Sequence, residues 1–400
     1  MMAFEEYIDL LRQLIAVPSF SREETAACDV LEAWLRAKAC DAVGAQYPLR
    51  RDGNNLVLEQ QGRGDGRPVL LLNAHIDTVR PAASYTRDPF SPDLEGDVLY
   101  GLGSNDDGGS LVALLAVYVQ LVQTDQPYRL IYAATSEEEV CGREGIERIL
   151  PSLGPVSLGI IGEPTRMQMA VAERGLLVLD CTAHGKSGHA ARGEGVNAIY
   201  AALPAIEWFR TFRFPKVSPW LGPVGMNVTM IQAGTQHNVV PDTCSFVVDV
   251  RPNGMYANEE LLALIREAQP DIDIKARSTR LGSSHIARSG GSSFASISTC
   301  ACSAGDPALL GGRGRKAEAG ETAAVTPGVE EHPVVRRGLS LGLEAFGSPT
   351  CSNQTLCAFP TLKIGPGDSA RSHTADEYIR LSEIRGGIDI YLRLLDQLKL

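Results

Sequence analysis

Residues 67–78 read RPVLLLNAHIDT, a continuous apolar run that stops abruptly at a histidine and an aspartate. Two more runs of the same design follow, YRLIYAATSEEE at 128–139 and VSLGIIGEPT at 156–165, and the helical stretch SLVALLAVYVQLV at 110–122 lies between the first two. Short apolar runs that alternate with helices mark a parallel sheet covered on both faces. Ligands of such sheets sit beyond the carboxyl ends of the strands. Here those ends are HIDT, SEEE and GEPT, so acids and a histidine are expected to meet along one edge.

Working outward, 400 residues exceed what one hydrophobic core organises, and two domains are expected. A composition of 44% apolar and 21% charged residues is that of an ordinary globular protein. The formal charge of -11, with no cluster of Lys and Arg, argues against nucleic acid as a partner. No run approaches the roughly 18 uninterrupted apolar residues of a membrane span. The first twenty residues read as an amphipathic helix without a basic leader, which argues against secretion and for a cytoplasmic place. Nine cysteines without a CxxC pair fit free thiols in a reducing compartment.

From 173 to 282 the rhythm changes to strand, helix, strand, strand, helix, strand: GLLVLDCTAH, GVNAIYAALPAIEWF, MNVTMIQAG, TCSFVVDVR, NEELLALIREA and DIDIKARS. This βαββαβ order predicts a ferredoxin-like unit inserted in an α/β domain formed by 1–172 and 283–400. That domain resumes with VVRRGLSLGLEAFG and TLKIGPGD and ends in an amphipathic helix within EYIRLSEIRGGIDIYLRLLDQL. Residues 287–329, rich in Ala, Gly and Ser, follow neither pattern. They are expected to form a flexible added loop outside the site, unless the stretch is read in a shifted frame.

In extended backbone, residues two apart face the same side, so the carboxylate of Asp77 is expected to accept from His75 and fix its tautomer for metal ligation. GLGSNDDGG at 101–109 brings Asp106 or Asp107 through a glycine-rich turn, with helix capping as the plain alternative. In SEEE, adjacent carboxylates suit a site where one binds metal and its neighbour handles protons; the plain alternative is a solvated charge run. Glu163 follows a fully apolar strand and calls for a cationic partner. His373 precedes an expected helix start, with Thr374 and Glu377 spaced as a capping box. Histidines with carboxylates and no cysteine are a donor set for zinc, cobalt or manganese.

Taken together, LLRQLIAVPSFSREE, LLLNAHIDTV, GLGSNDDGG, ATSEEEVCG, GEPT, GKSGHAA, QHNVVPDTCSFVVDVRP and SHTADEY resemble the cocatalytic metallohydrolases. That family includes acetylornithine deacetylase, succinyl-diaminopimelate desuccinylase, aminoacylase and the glutamate carboxypeptidases. The resemblance implies a zinc-exopeptidase-like catalytic domain with a mostly parallel central sheet, and a dimerisation role for the inserted unit. It further implies two divalent ions, zinc or cobalt, about 3.5–4 Å apart. His75, Asp106 and Glu163 would ligate one, and Asp106, Glu139 and His373 the other. Glu138 would be the general base, Asp77 the orienting acid, and His189 a residue that reaches the active site of the partner in a homodimer. Arg251, Asn238, Ser352 and Asn353 would contact substrate, although Asn353 stands where the family pattern has Asp, and Asp107-Gly108-Gly109 replaces its Met-Lys-Gly. The implied reaction is hydrolysis of an N-acyl-amino acid by metal-activated water, foremost N-acetylornithine. Succinylated substrates, acyl-citrulline and dipeptides are the alternatives, and a metal-free amino-acid-binding protein is the rival outside enzymology.

Overall fold

The three apolar runs become neighbouring parallel strands. In the computed structural model, which describes residues 2–40, 44, 47–59, 66–286 and 328–400, Val69–His75 lies between Arg129–Thr135 and Leu158–Ile161. Thr361–Lys363 adds a further parallel strand beside 158–161. Every residue of 69–75, 129–135 and 158–161 is buried, which is why the sequence shows continuous apolar runs and not an alternation. Successive side chains still part to opposite faces. Leu70, Leu72 and Ala74 enter the larger core with the helices Gly109–Leu121, Phe4–Ile15 and Leu381–Leu395, whereas Val69 and Leu71 pack with Ile131, Ile146 and Ile149 across the sheet. The helix 109–121 is buried on nearly its whole circumference, as its unbroken apolar sequence requires.

Leu49–Asp52 and Asn55–Glu59 close one edge of the sheet in antiparallel fashion. At the other edge, Met169–Glu173 pairs with Thr361–Lys363, Ser284–His285 and Ala345–Ser348. The pairing of His75 with Thr135 and of Asn73 with Ile161 levels the carboxyl ends of the three central strands, so the polar residues that follow them share one rim.

The inserted unit has a core of its own, built on Leu179, Phe209, Phe246, Val248 and Leu261. Its antiparallel sheet runs Gly225–Ala233, Thr243–Arg251, Leu177–His184, Ile272–Ala276, with helices Ala198–Thr211 and Asn258–Ala268 on one side. Burial alternates along 177–184, the period of a sheet with one covered face. The strand 225–233 is at the sheet edge and exposes Met230 and Ile231; the helix 198–211 exposes Tyr200 and Leu203. A short ribbon pairs Gly188–His189 with Val239–Val240.

The last helix begins later than expected. Tyr378–Arg380 is a strand paired with Val98–Tyr100, and the helix starts at Leu381, boxed by Glu383 accepting from the Arg380 N–H at 3.0 Å. The expected flexible stretch lies outside the described residues except for Gly328 and Val329. Among the described residues the cysteines are free, and no helix is long and apolar enough to cross a membrane.

Candidate metal centre

His75 ends its strand fully enclosed, with its Nε2 3.2 Å from Asp106 Oδ1. Its Nδ1 lies 2.8 Å from the main-chain carbonyl of Asp77, while the Asp77 carboxylate is 3.6 Å away. The expected ring-to-carboxylate bond is thus replaced by a ring-to-carbonyl bond, which fixes the same tautomer by another atom. The strand stops at His75, so the two-residue facing rule no longer holds at 77. The freed carboxylate accepts from Ser21 Oγ at 2.7 Å and from the N–H groups of Glu138 and Glu139 at 2.9 and 3.1 Å. Asp77 therefore holds the turn that carries both glutamates.

That turn follows Thr135. Glu137 takes a positive φ of 55°, and the N–H groups of Cys141 and Gly142 return to the carbonyls of Glu138 and Glu137 at 2.8 Å. Glu138 is buried and Glu139 points to the rim, where both its carboxylate oxygens are 3.0 Å from His373 Nε2. Asp106 Oδ2 lies 3.8 Å from the same nitrogen. Gly103, at φ 76°, lets the Asp106 loop pass under Thr78: a Cβ there would meet Thr78 Cγ2 at 2.6 Å.

Ligand atoms of Asp106, Glu139 and His373 come within 4.8 Å of one another, as do those of His75, Glu138 and Glu139. Glu163 is outside both tight groups yet faces the same charge. Burial, and after it Asp106, pushes its carboxyl well above the usual range, with the Lys363 ammonium working the other way. Lys363 supplies positive charge near Glu163, but its direct partner is Glu173 at 3.0 Å, so the cationic partner expected for Glu163 is not an ion pair of its own. Burial raises Glu138 strongly as well, and Glu163 adds to it. Glu139 is raised by burial against the pull of His373, and His373 itself is lifted to about 9, chiefly by its bond to Glu139. Burial also disfavours the charge of Asp106, but the hydrogen bond and charge of His75 hold it below its usual range. Four carboxylates crowded against two histidines leave an excess of buried negative charge that raises proton affinity. Divalent cations offset such an excess directly, and a nitrogen and oxygen donor set fits zinc, cobalt or manganese.

Neither Asp106 nor Asp107 caps the helix that follows. Asp107 is buried, with Oδ2 accepting from the His75 N–H at 3.3 Å, and burial pushes it up to about 7. Thr374 and Glu377 do not form the expected box either. Thr374 Oγ1 donates to the Arg371 carbonyl at 2.8 Å, and Glu377 turns into the 101–106 loop.

The candidate substrate residues are dispersed. The Arg251 guanidinium closes on Asp249, two residues before it on the same strand, at 2.7 and 3.0 Å. Ser352 and Asn353, expected at the substrate, are buried and bonded within the fold. Ser352 Oγ donates to Glu173 at 2.7 Å, and Asn353 Nδ2 donates to Asn73 Oδ1 at 3.1 Å and Thr135 Oγ1 at 3.2 Å. His189, on the short ribbon of the inserted unit, and Asn238, next to it, are exposed and belong to neither ligand group.

Two buried charged groups, Glu173 and Lys363, have no place in the sequence analysis, and a third, Glu377, is expected there only as a helix cap. Glu173 and Lys363 form a buried pair at 3.0 Å behind Glu163, and Glu377 is buried beside Asp106. A lone lysine at the end of the apolar strand TLKI was the available signal, because a buried ammonium requires a carboxylate.

Comparisons with known proteins bear on the family and the fold. A sequence model described as Peptidase family M20/M25/M40 matches residues 71–397. The chain is 26% identical to a succinyl-diaminopimelate desuccinylase of Acidiphilium cryptum, over 98% of both chains. It is 27% identical to an acetylornithine deacetylase of Erwinia tasmaniensis, over 97% of both. Among solved structures it is similar to the YXEP protein of Bacillus subtilis, described as a dinuclear metal binding peptidase from the M20 family, with a TM-score of 0.65 at 16% identity, covering 98% of this chain and 97% of that one.

Proposed function

We propose, from the premise that the chain belongs to peptidase family M20/M25/M40, that it hydrolyses the amide bond of an N-acyl-L-amino acid at a two-metal centre. N-acetylornithine and N-succinyl-diaminopimelate stand level as first substrates, since full-length relatives carry both names at similar identity. The observation that carries the reading is the approach of Asp106, Glu139 and His373 ligand atoms to within 4.8 Å, beside the group of His75, Glu138 and Glu139. The rival, a metal-free binding protein, would need no such convergence of ligands with a buried base.

In this reading His75, Asp106 and Glu163 hold one divalent ion, zinc or cobalt, and Asp106, Glu139 and His373 hold the other. Such ions polarise an acyl carbonyl and lower the pKa of water at neutral pH. The remaining work belongs to side chains. Glu138, whose proton affinity is raised by burial, takes a proton from the attacking water and delivers it to the leaving nitrogen as the C–N bond breaks. Asp77 keeps Glu138 and Glu139 in register through their N–H groups. The products are a free amino acid and a short carboxylic acid. Protein loaded with zinc or cobalt is expected to release amine from at least one of N-acetylornithine, N-acetylcitrulline, N-succinylornithine and N-succinyl-diaminopimelate. Silence on all four sinks the deacylase reading.

The active unit in this reading is a homodimer. Tyr200 and Leu203 on a helix, with Met230 and Ile231 on an edge strand, leave apolar side chains and unpaired backbone on one unit of the chain, an arrangement that a second copy would cover. His189, exposed on the adjoining ribbon, would then meet the partner's centre. Sedimentation velocity is expected to give twice the chain mass for the wild type and the single mass for a Leu203→Glu/Ile231→Glu variant; a monomeric, active wild type contradicts the dimer.

A further inference from the structure

The loop that presents Asp106 has no regular pairing of its own. The N–H groups of Gly103, Asn105 and Asp106 face the start of the turn Ser104–Gly108, where backbone donors lack partners along the chain. All three are taken by one side chain from the far end of the sequence. Glu377 Oε1 accepts from Asn105 and Asp106 at 2.9 Å each, Oε2 accepts from Gly103 at 3.2 Å, and the Glu377 carbonyl accepts from Gly101 at 2.9 Å. Glu377 as a whole is 2% exposed.

Glu377 follows His373 by four residues, and both His373 and Asp376 between them adopt positive φ, at 59° and 54°. Asp376 in turn accepts from the N–H groups of Thr86 and Arg87 at 2.9 Å, which pins the segment from its other side. One short stretch therefore delivers His373 to the rim and, through Glu377, grips the backbone of Asp106 itself. We propose that Glu377 is the positioning residue of the metal centre: by clamping the Asp106 loop to the His373 segment it sets the separation of these two ligands. The proposal rests on the two-metal reading above.

The requirement is chemical as well as spatial. A glutamine at 377 offers one carbonyl oxygen to Asn105 and Asp106 and turns its NH2 toward the Gly103 N–H, donor against donor. An aspartate keeps both acceptors but falls short by one methylene. Removing a group that orients a metal ligand typically costs about 10–100-fold in metal affinity or activity. Glu377→Gln is accordingly expected to weaken cobalt binding about tenfold or more, to alter the visible absorption of the cobalt protein, and to lower kcat with KM little changed. Glu377→Asp is expected to recover part of each.

The experiment is a cobalt titration followed by visible absorption, with metal content, kcat and KM measured on wild type, Glu377→Gln, Glu377→Asp and, as a reference for loss of a ligand, His373→Ala. Thermal melts establish which variants fold. A folded Glu377→Gln with the cobalt affinity, spectrum and kcat of the wild type overturns the proposal. If that variant does not fold, a folded Glu377→Asp that matches the wild type overturns it equally, and failure of both to fold assigns Glu377 a structural role only and overturns it too. A wild type that takes up no pair of cobalt ions removes the two-metal reading, and this proposal with it, a result distinct from the variant outcomes.

Discussion

Glu138→Gln is expected to keep both metal ions and to lose about 10²–10⁴-fold in turnover, the usual contribution of a positioned proton carrier. The side chain is buried, it lies close to His75 and Glu139, and burial with the nearby Glu163 raises its proton affinity strongly. Those are the properties of a group that accepts a proton from water and gives it up again within one cycle. The same proximity leaves a competing role open to measurement, because Glu138 and not Asp106 is the third member of the group with His75 and Glu139. Glutamine preserves the shape, so metal content separates the two roles. Loss of one ion in the variant would make Glu138 a ligand, and full turnover would move the base elsewhere.

Lys363→Met is expected to destabilise the fold by about 3–5 kcal/mol, the cost of stranding a buried charge. Lys363 and Glu173 are 2% and 0% exposed and meet at 3.0 Å. Glu173 also accepts from the Ser352 N–H and hydroxyl at 3.1 and 2.7 Å, and Lys363 donates to the Thr350 carbonyl and hydroxyl at 3.3 and 3.2 Å. The pair thereby ties the strands 169–173 and 361–363 to the 350–352 loop. With the ammonium gone, the carboxylate keeps its place among strands and has no counterion. Lys363→Met/Glu173→Gln removes both charges and is expected to regain a large part of the loss, since neutral pairs escape the desolvation cost. Urea melts of the two variants beside wild type measure this. A cost below about 1 kcal/mol for the single change would mean that water reaches the carboxylate.

Much of the candidate centre was legible because it is written where strands stop. His75, the SEEE turn and Glu163 each end an apolar run, and strand-end polarity survives in one dimension because the parallel sheet sets those ends level. The βαββαβ order was legible for a similar reason: its elements are contiguous and the rhythm changes at 173 and 282, just outside the first and last strands at 177–184 and 272–276. What stayed hidden depends on partners far away in sequence. Glu377 reads locally as a capping residue, and only the fold brings Gly103 and Asp106 to it. Glu173 and Lys363 each look misplaced in an apolar strand until they are seen together. Ser352 and Asn353 show the converse error. Short polar residues near a candidate site read as substrate contacts, while the fold spends them on Glu173, Asn73 and Thr135. Asp77 lies beside His75 but with its atoms in exchanged roles, because the strand ends at His75 and the Asp77 carbonyl meets the ring in place of the carboxylate.

The interleaving of the large sheet also sets a timetable for the newborn chain. Thr361–Lys363 is hydrogen-bonded to Leu158–Ile161 on one side and to Met169–Glu173 on the other. Both neighbours leave the ribosome long before the strand that joins them, whereas the last strand of the inserted unit's sheet ends at residue 276. The smaller unit is therefore free to mature during synthesis while the larger sheet waits with a vacant slot, and that slot presents unpaired strand edges to other chains. Lys363, His373 and Glu377 lie within one short stretch, so the sheet is sealed, its buried charge neutralised and its candidate ligands brought together in nearly the same moment.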